Sequence, residues 1–561
     1  MYINVGINRD NSMRGRGLSG KKTMVCRFLS VKLALLMFGI AGVLGFIGAC
    51  SSPEQLVAEA DQETYKIIGD KWHDDFGQMT NYTIRDTVPT EEEIATEVPP
   101  SGVLALAKAV EIATKYNREY QTQKESLYLS ALDLTLTRHE YAKRWFGTFD
   151  GQYLNSEDGE DNTLSSDFGV DQAFITASGI IANAGLAIDW TRFLSGDQYT
   201  SMGSVLTASV TAPLLGRGGG KTAWENLTQA ERNVLYRIRT FNRYRQTFVV
   251  SIISDYYRVL QQKDSLEVTR ASYERQIEST NQLRMEVEVG QRAQSDADEA
   301  EQKLLSAEND LISAEQNYAQ TLDRFKIRLS LPTDAEVTLD PNELEALGNM
   351  GVGLPEYTVE DAIEVALGGR LDLANTRNEL EDAERKVVLA AEGLGVQLDL
   401  IGSANVDSTE KTDFTRLRFH EGTYSVGFET DLPFDRKSER NAYREALISF
   451  QQKQRSYEEY IEEIKLDVHN AYRDLKETSE SYRIQQVGLR LAERRLEQQR
   501  LLLDYGRGTV RLLLESEDAL VQAQNAVTRA LIDHLIAKLS FFRDIGILQV
   551  RPDGMWEQNI Q

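Results

Sequence analysis

Residues 438–505 run for 68 positions with no proline and one glycine, Gly488, in a composition of Glu, Arg, Gln, Leu and Ala that favours helix. Ile461, Ile464, Val468, Ala471 and Leu475 recur at alternating spacings of three and four, an apolar seam at coiled-coil period. At about 1.5 Å per residue such a helix is roughly 100 Å long, far beyond ordinary globular helices. It stops at Gly506–Arg507–Gly508, and a second periodic arm runs back to about Asp544. The pattern also occurs 216 residues earlier: Thr222 opens a 68-residue helix that reaches Val289 and stops at Gly290. Glu299, Glu301, Leu304, Ala307 and Asn309 match Glu515, Glu517, Leu520, Ala523 and Asn525 at that offset. The 561 residues would suffice for several domains, but the duplication argues for one elongated body made of two long helical hairpins.

Each hairpin is preceded by a helix and then by β structure. Residues 104–144 are amphipathic, with Leu104, Ala107, Val110 and Ala113 on one face, and Ala362–Ile363–Glu364–Val365–Ala366 echoes residues 109–113 at an offset of 253. The two offsets differ by 37, so the first repeat carries 37 extra residues between this helix and its long helix. In the second repeat Val396, Leu398 and Leu400 alternate with polar positions. Tyr424, Val426, Phe428, Thr430 and Leu432 do the same, an antiparallel pair with one apolar face. Strands of this length suit a transmembrane β-barrel, which needs about 9–11 residues per crossing. The first repeat has the same ends, 145–153 and 206–214, and an additional alternating run at Leu186, Ile188 and Trp190. The pattern leaves open whether that run adds barrel strands or folds as an outer loop. Each β region closes on a proline turn (Pro213, Pro433), and Thr222 with Glu225 predicts a capping box at the start of the first long helix.

The leader is basic, with Arg14, Arg16, Lys21, Lys22, Arg27 and Lys32, and the true start is Met1, Met13 or Met24. The apolar run 33–47 is short for a membrane span and ends at Ile47–Gly48–Ala49–Cys50. This resembles a bacterial lipoprotein cleavage box, which makes residues 1–49 a signal peptide and Cys50 the lipid-bearing (acyl, palmitate) N-terminus; the alternative is an ordinary signal peptide that contains a cysteine. Ser51 and Ser52 after the Cys imply outer-membrane sorting. The segment before Cys50 carries six more positive than negative charges, so its removal takes the net charge from −25 to −31, which disfavours nucleic-acid partners. With Cys26 in the leader, the mature chain has no cysteine pair and no thiolate metal site. Residues 50–101 read as a polar tether with one short helix around 58–68. Residues 332–357 read as a connector lying beside the helical body, and 549–561 as a tail.

Residues 215–222, Leu-Gly-Arg-Gly-Gly-Gly-Lys-Thr, suggest a phosphate loop, but the motif needs glycine at Leu215 and no Asp-ended buried strand follows; these glycines make a strand-to-helix turn. The five histidines lack ligand spacing, and the abundant acids lie on solvated helix faces. The sequence therefore predicts no enzyme, cofactor or metal.

The order of signal, tether, helix, β pair, long helix, glycine turn and return helix, repeated from the helix onward, resembles the TolC-type outer-membrane efflux channel family over nearly all the mature chain. The matching motifs are residues 104–110, the run Ala366–Leu367–Gly368–Gly369–Arg370–Leu371–Asp372–Leu373, the proline turns, and a glycine followed by acids at each tip. Leu371 stands where the family usually has proline.

The resemblance implies a mainly α fold with a transmembrane β-barrel section: repeats 102–331 and 358–548, each a β-hairpin plus a long α-helical hairpin. A homotrimer would form a twelve-stranded barrel in the outer membrane, continued by an α-barrel through the periplasm. It further implies an outer-membrane lipid surround, and a periplasmic adaptor docking on the tips Val289, Gly290, Gln291 and Tyr505, Gly506, Arg507. An inner-membrane pump would supply the energy for efflux or type I secretion.

Gating acids are expected at Asp296, Glu299 and Glu515; Leu512 replaces an acid of the family, with Asp298 or Glu517 as substitutes. Tyr505 and Arg507 are candidates for locking the tip. Two rivals are a lipidated coiled-coil tether without a pore, and the periplasmic adaptor itself, which has one hairpin and more β structure.

Overall fold

Two long helices, Glu225–Glu288 and Lys437–Asp504, dominate the computed structural model. Each is followed by a return helix of 35 residues, Gln294–Arg328 and Val510–Asp544, and these two keep the 216-residue offset at both ends. The structure describes residues 52–551 except 74–75, 77–78, 86, 155–162, 177, 194–199, 216–219, 356, 410–412 and 433. The leader, Cys50, the glycines at 216–219, Pro433 and most of the tail therefore lie outside the described residues. The chain divides after Glu63. Of the first unit only the start of helix Pro53–Lys71 is described; the second unit, from Thr64, holds every other described helix and all the described strands.

The first long helix begins three residues later than the sequence predicts. Residues Gly220–Ala223 form a single separate turn, and Trp224 (φ −100°, ψ 3°) interrupts the helical path. Its indole Nε1 donates to the Thr176 carbonyl at 3.0 Å, and its ring lies 5.1 Å from that of Tyr141. Anchoring this side chain outweighs helix continuity. The expected Thr222–Glu225 capping box is accordingly not formed: Glu225 accepts two hydrogen bonds from Arg385, at 2.8 and 3.1 Å.

The helix expected at 104–144 is two helices, Leu106–Tyr116 and Arg118–Tyr141, preceded by the two-residue strand β1 (Val103–Leu104). Asn117 makes the break. Its backbone is extended, its Oδ1 accepts from the Tyr120 N–H and caps the second helix, and its Nδ2 donates to the Arg328 carbonyl at 2.8 Å. The second repeat breaks at the corresponding place, Arg370, between Val359–Gly369 and Leu371–Glu392. Here the family-like motif has a structural task. Arg370 grips Asp372 through both guanidinium arms (2.8 and 3.1 Å) and reaches Asp467 on the second long helix at 3.1 Å. Burial would raise the Asp372 pKa, but the Arg370 hydrogen bonds overcome it and hold the carboxyl below its usual range.

These joints surround one apolar core, in which Tyr120, Phe241, Phe248, Tyr256 and Phe325 are buried and Tyr120 lies 5.0 Å from Phe248. The connector joins this core. Strand β6 (Thr338–Leu339) pairs parallel with β1, and helix Asn342–Met350 buries Leu347.

The remaining strands form one antiparallel sheet. The first repeat contributes β2 (Arg144–Leu154), β3 (Thr163–Ile175), β4 (Ile181–Phe193) and β5 (Thr200–Leu215). The second contributes β7 (Gln397–Thr409), the short β8 (Asp413–Leu417) and β9 (Thr423–Asp431). Pairing runs β2-β3-β4-β5-β7-β9, with β8 attached to the far end of β7. The expectation of two strands per repeat is therefore corrected for the first: its 37 extra residues build the β3–β4 hairpin within the sheet.

Candidate functional site: a two-faced sheet and paired helical tips

The pairing register sorts every strand residue onto one of two faces, because paired residues share a face and alternate residues do not. One face is apolar across all six long strands. It carries Trp145, Phe149 and Tyr153 on β2, Phe168 and Val170 on β3, and Leu186 and Ile188 on β4. Leu206 and Val210 on β5, Leu400 on β7, and Val426 and Phe428 on β9 complete it. Several of these side chains are open to the surroundings, Trp145 at 69%, Val426 at 81% and Phe428 at 70% exposure. A row of large exposed apolar groups of this extent marks a surface that meets lipid or another protein.

The opposite face carries Thr148, Asp150, Gln152, Asp167, Asp171, Asn183, Asp189, Ser209, Asp399, Ser403, Asn405 and Glu429, with Phe146 at its β2 end. Asp150, Asp167 and Asp189 are in register across three adjacent strands. Space for these carboxylates comes from small neighbours: a Cβ at Gly185 would sit 1.9 Å from an Asp171 oxygen. Sequence reasoning missed this acidic face, although the two-residue alternation at 163–175 was its signal. Among the described residues no helix is long and apolar enough to cross a membrane, and no acid, His and Cys cluster is arranged to hold a metal.

At the other end the two hairpin turns have the same geometry. Gly290 and Gly506 adopt φ of +76° and +67°, a left-handed conformation that costs glycine least. The following residue's N–H, Gln291 or Arg507, reaches back to Glu286 or Leu502 at 2.8 Å, closing each helix. Val289, Gly290, Gln291, Tyr505, Gly506 and Arg507 are all exposed, Tyr505 at 78%.

The two tips are tied to each other. Arg292 pairs with Glu286 at 2.9 Å and donates across to the Leu503 carbonyl at 3.2 Å. Leu283, Ala300, Leu496, Leu503, Val510, Leu513 and Leu514 form a small core beneath.

Of the expected gating acids, Asp296 is half-buried in the first turn of its helix and Glu299 pairs with Arg511 at 2.9 Å. Glu515 is exposed one turn beyond Arg511; hydrogen bonding by Glu299, and then the charge of Glu515, hold the Arg511 pKa up. The structure thus gathers Glu299 and Glu515 around one cation. Asp298 accepts from Gln294 at 3.0 Å.

Glu517 is different. It is buried at 3% exposure, bonded to Gln276 at 3.2 Å and to Arg500 at 3.3 Å. Burial pushes its pKa up against the opposing pull of Arg500.

Comparison with known proteins places this architecture. The family model for outer membrane efflux proteins matches residues 179–326 and 362–542, and the chain belongs to that family. The fold is similar to that of the outer-membrane channel OprN, at 13% identity and TM-score 0.56, over 84% of this chain and 96% of that one. It is similarly close to the Campylobacter jejuni CmeC outer membrane channel, at 14% identity and TM-score 0.57, over 87% of this chain and 93% of that one. The Neisseria gonorrhoeae MtrE outer membrane channel in its open state matches at 15% identity and TM-score 0.57, over 84% of this chain and 95% of that one. No curated protein matches by sequence.

Proposed function

We propose that the chain is the outer-membrane channel component of a tripartite efflux or type I secretion system. Three copies join their sheets into a barrel in the outer membrane, and the helical hairpins continue it as a tube into the periplasm. The tips Val289, Gly290, Gln291, Tyr505, Gly506 and Arg507 meet a periplasmic adaptor, which couples the tube to an energised inner-membrane pump. Cys50 adds a lipid anchor after removal of residues 1–49. In this reading the chain is a conduit and not an enzyme, in keeping with its membership of the outer membrane efflux protein family.

The observation that carries this reading is the sheet with one apolar and one acidic face, continuous with two long hairpins. A coiled-coil tether has no use for an apolar sheet face. Tip acids converging on the axis of a trimer would make a negative, partly desolvated mouth that favours cations. Single-channel recording in planar bilayers tests this. Wild type should conduct with cation selectivity and be blocked by polyvalent cations from the tip side. Asp296→Ala with Glu299→Ala and Glu515→Ala should lose block and weaken selectivity, with the trimer intact. Absence of conductance from a trimeric wild type would overturn the channel reading.

A further inference from the structure

The inserted hairpin β3–β4 changes how wide a barrel this chain can build. Both strands have 13 residues, more than the roughly 9–11 that cross a bilayer. They pair with each other along their whole length and with β2 and β5 on either side. Their faces continue those of their neighbours: Phe168, Val170, Leu186 and Ile188 extend the apolar face, Asp167 and Asp189 the acidic one. A hairpin lying outside the wall would have no reason to match both faces in register. Its inner turn is also fixed at the helical end of the sheet, where Trp224 donates to the Thr176 carbonyl. The hairpin therefore runs the full height of the sheet.

Among the described residues two edges are left unpaired within the chain, β2 and β9. Exposed edges with large apolar side chains pair with another chain unless they are blocked. Successive antiparallel pairing makes β2 and β9 run in opposite directions, so copies related by rotation bring β9 of one against β2 of the next in antiparallel register. Inserting two strands preserves that relation, whereas one would reverse it. The facing surfaces are complementary in size. On the apolar face of β2, Gly147 and Gly151 alternate with aromatic residues and have nothing within 4 Å of an added Cβ, while β9 presents Tyr424, Val426 and Phe428.

We infer that the outer-membrane section is closed by the β2 and β9 edges of three copies of this chain into an eighteen-stranded barrel, six wall strands from each, in place of the twelve that two strands per repeat would give. This rests on the trimer proposed above. Barrel diameter grows about in proportion to strand number, so the section is about 1.5-fold wider, roughly 35 Å between opposite strands at 4.7 Å spacing and a tilt near 40°. The outer mouth then places no narrow constriction on large solutes, and size selection falls to the helical tips.

Electron cryomicroscopy of the full-length protein in nanodiscs counts the strands directly. The expected map is threefold with eighteen strands in the wall. A threefold map with twelve wall strands and the β3–β4 hairpin outside them would overturn this inference and leave the trimer standing; a particle without threefold symmetry would overturn the trimer itself. Spin labels give an independent check. Labels at F168C and I188C should be accessible to oxygen from lipid and those at D167C and D189C to a water-soluble nickel complex. Water accessibility at all four would overturn the inference.

Discussion

The two long helices descend from one duplicated unit, yet they are buried very differently. The first has twenty buried residues among 64, the second seven among 68. Val250 and Leu466 occupy the same repeat position; the first is 4% exposed and the second 55%. Both long helices are packed by lead-in helices and a return arm of their own chain. The first also meets the connector and the lead-in helix and return arm of the second repeat, whereas the second keeps an open apolar face at Leu466, Ile484 and Leu491. Sequence symmetry therefore does not carry over to equal burial, and the open face is the one that a neighbouring copy would cover.

The largest expected effect separates these two positions. Val250→Glu places a charge in the core and should destabilise the protomer by at least about 3 kcal/mol. Leu466→Glu should change protomer stability by no more than about 0.5 kcal/mol while abolishing assembly. Thermal unfolding and particle size, measured on both variants in detergent, check the pair. Equal destabilisation would mean that the second helix is packed within its own chain.

The lead-in helices differ in the same way. Glu97 clamps the first through Lys108, at 2.8 Å, and through Lys115, and these hydrogen bonds hold its pKa at about 2. The second has no lysine at the matching positions, Asp361 and Gly368, and uses a Thr358–Asp361 capping box. Because the Glu97 pKa is depressed by folding, its stabilisation is complete above about pH 4.5 and is lost as pH falls towards 2. Glu97→Gln should cost about 2 kcal/mol at neutral pH, the cost shrinking as pH falls through about 2. Chemical unfolding of wild type and variant across that window measures the difference.

The smallest effect concerns one ion pair present in both repeats. Arg284–Glu301 is half-exposed at 3.0 Å; its counterpart Arg500–Glu517 has the carboxylate buried. A carboxyl whose pKa is raised by folding contributes stability at low pH that is lost as pH rises through that pKa. Glu517→Gln should therefore increase amide protection of residues 510–520 at pH 7, with the gain shrinking in acid. Glu301→Gln should leave its own tip unchanged. Hydrogen exchange reads both.

Much of the helical architecture was legible in the sequence, for identifiable reasons. Helix periodicity is local, so the 68-residue second helix lies within one residue of its predicted limits and its return arm ends at Asp544 as expected. The tip glycines were legible because only a left-handed turn requires them. The break at Asn117 was not, since its cause is a bond to Arg328, 211 residues away. The late start of the first long helix depends likewise on Trp224 reaching Thr176. In β3 the alternation is carried by Ser166, Phe168 and Val170 among acids, a pattern whose meaning appears only once β2 and β4 are paired beside it. At the tips, the acids were legible from composition but Arg511, which binds Glu299, was not, because the two lie on different hairpins.

The proposed trimer makes one chain incomplete by itself, with copies of itself expected to cover its two sheet edges and the open face of its second long helix. Native mass spectrometry of the detergent-purified particle tests this most directly. The expected result is a single species of three protomers that falls to one protomer with Leu466→Glu; a wild-type particle of one protomer would contradict it.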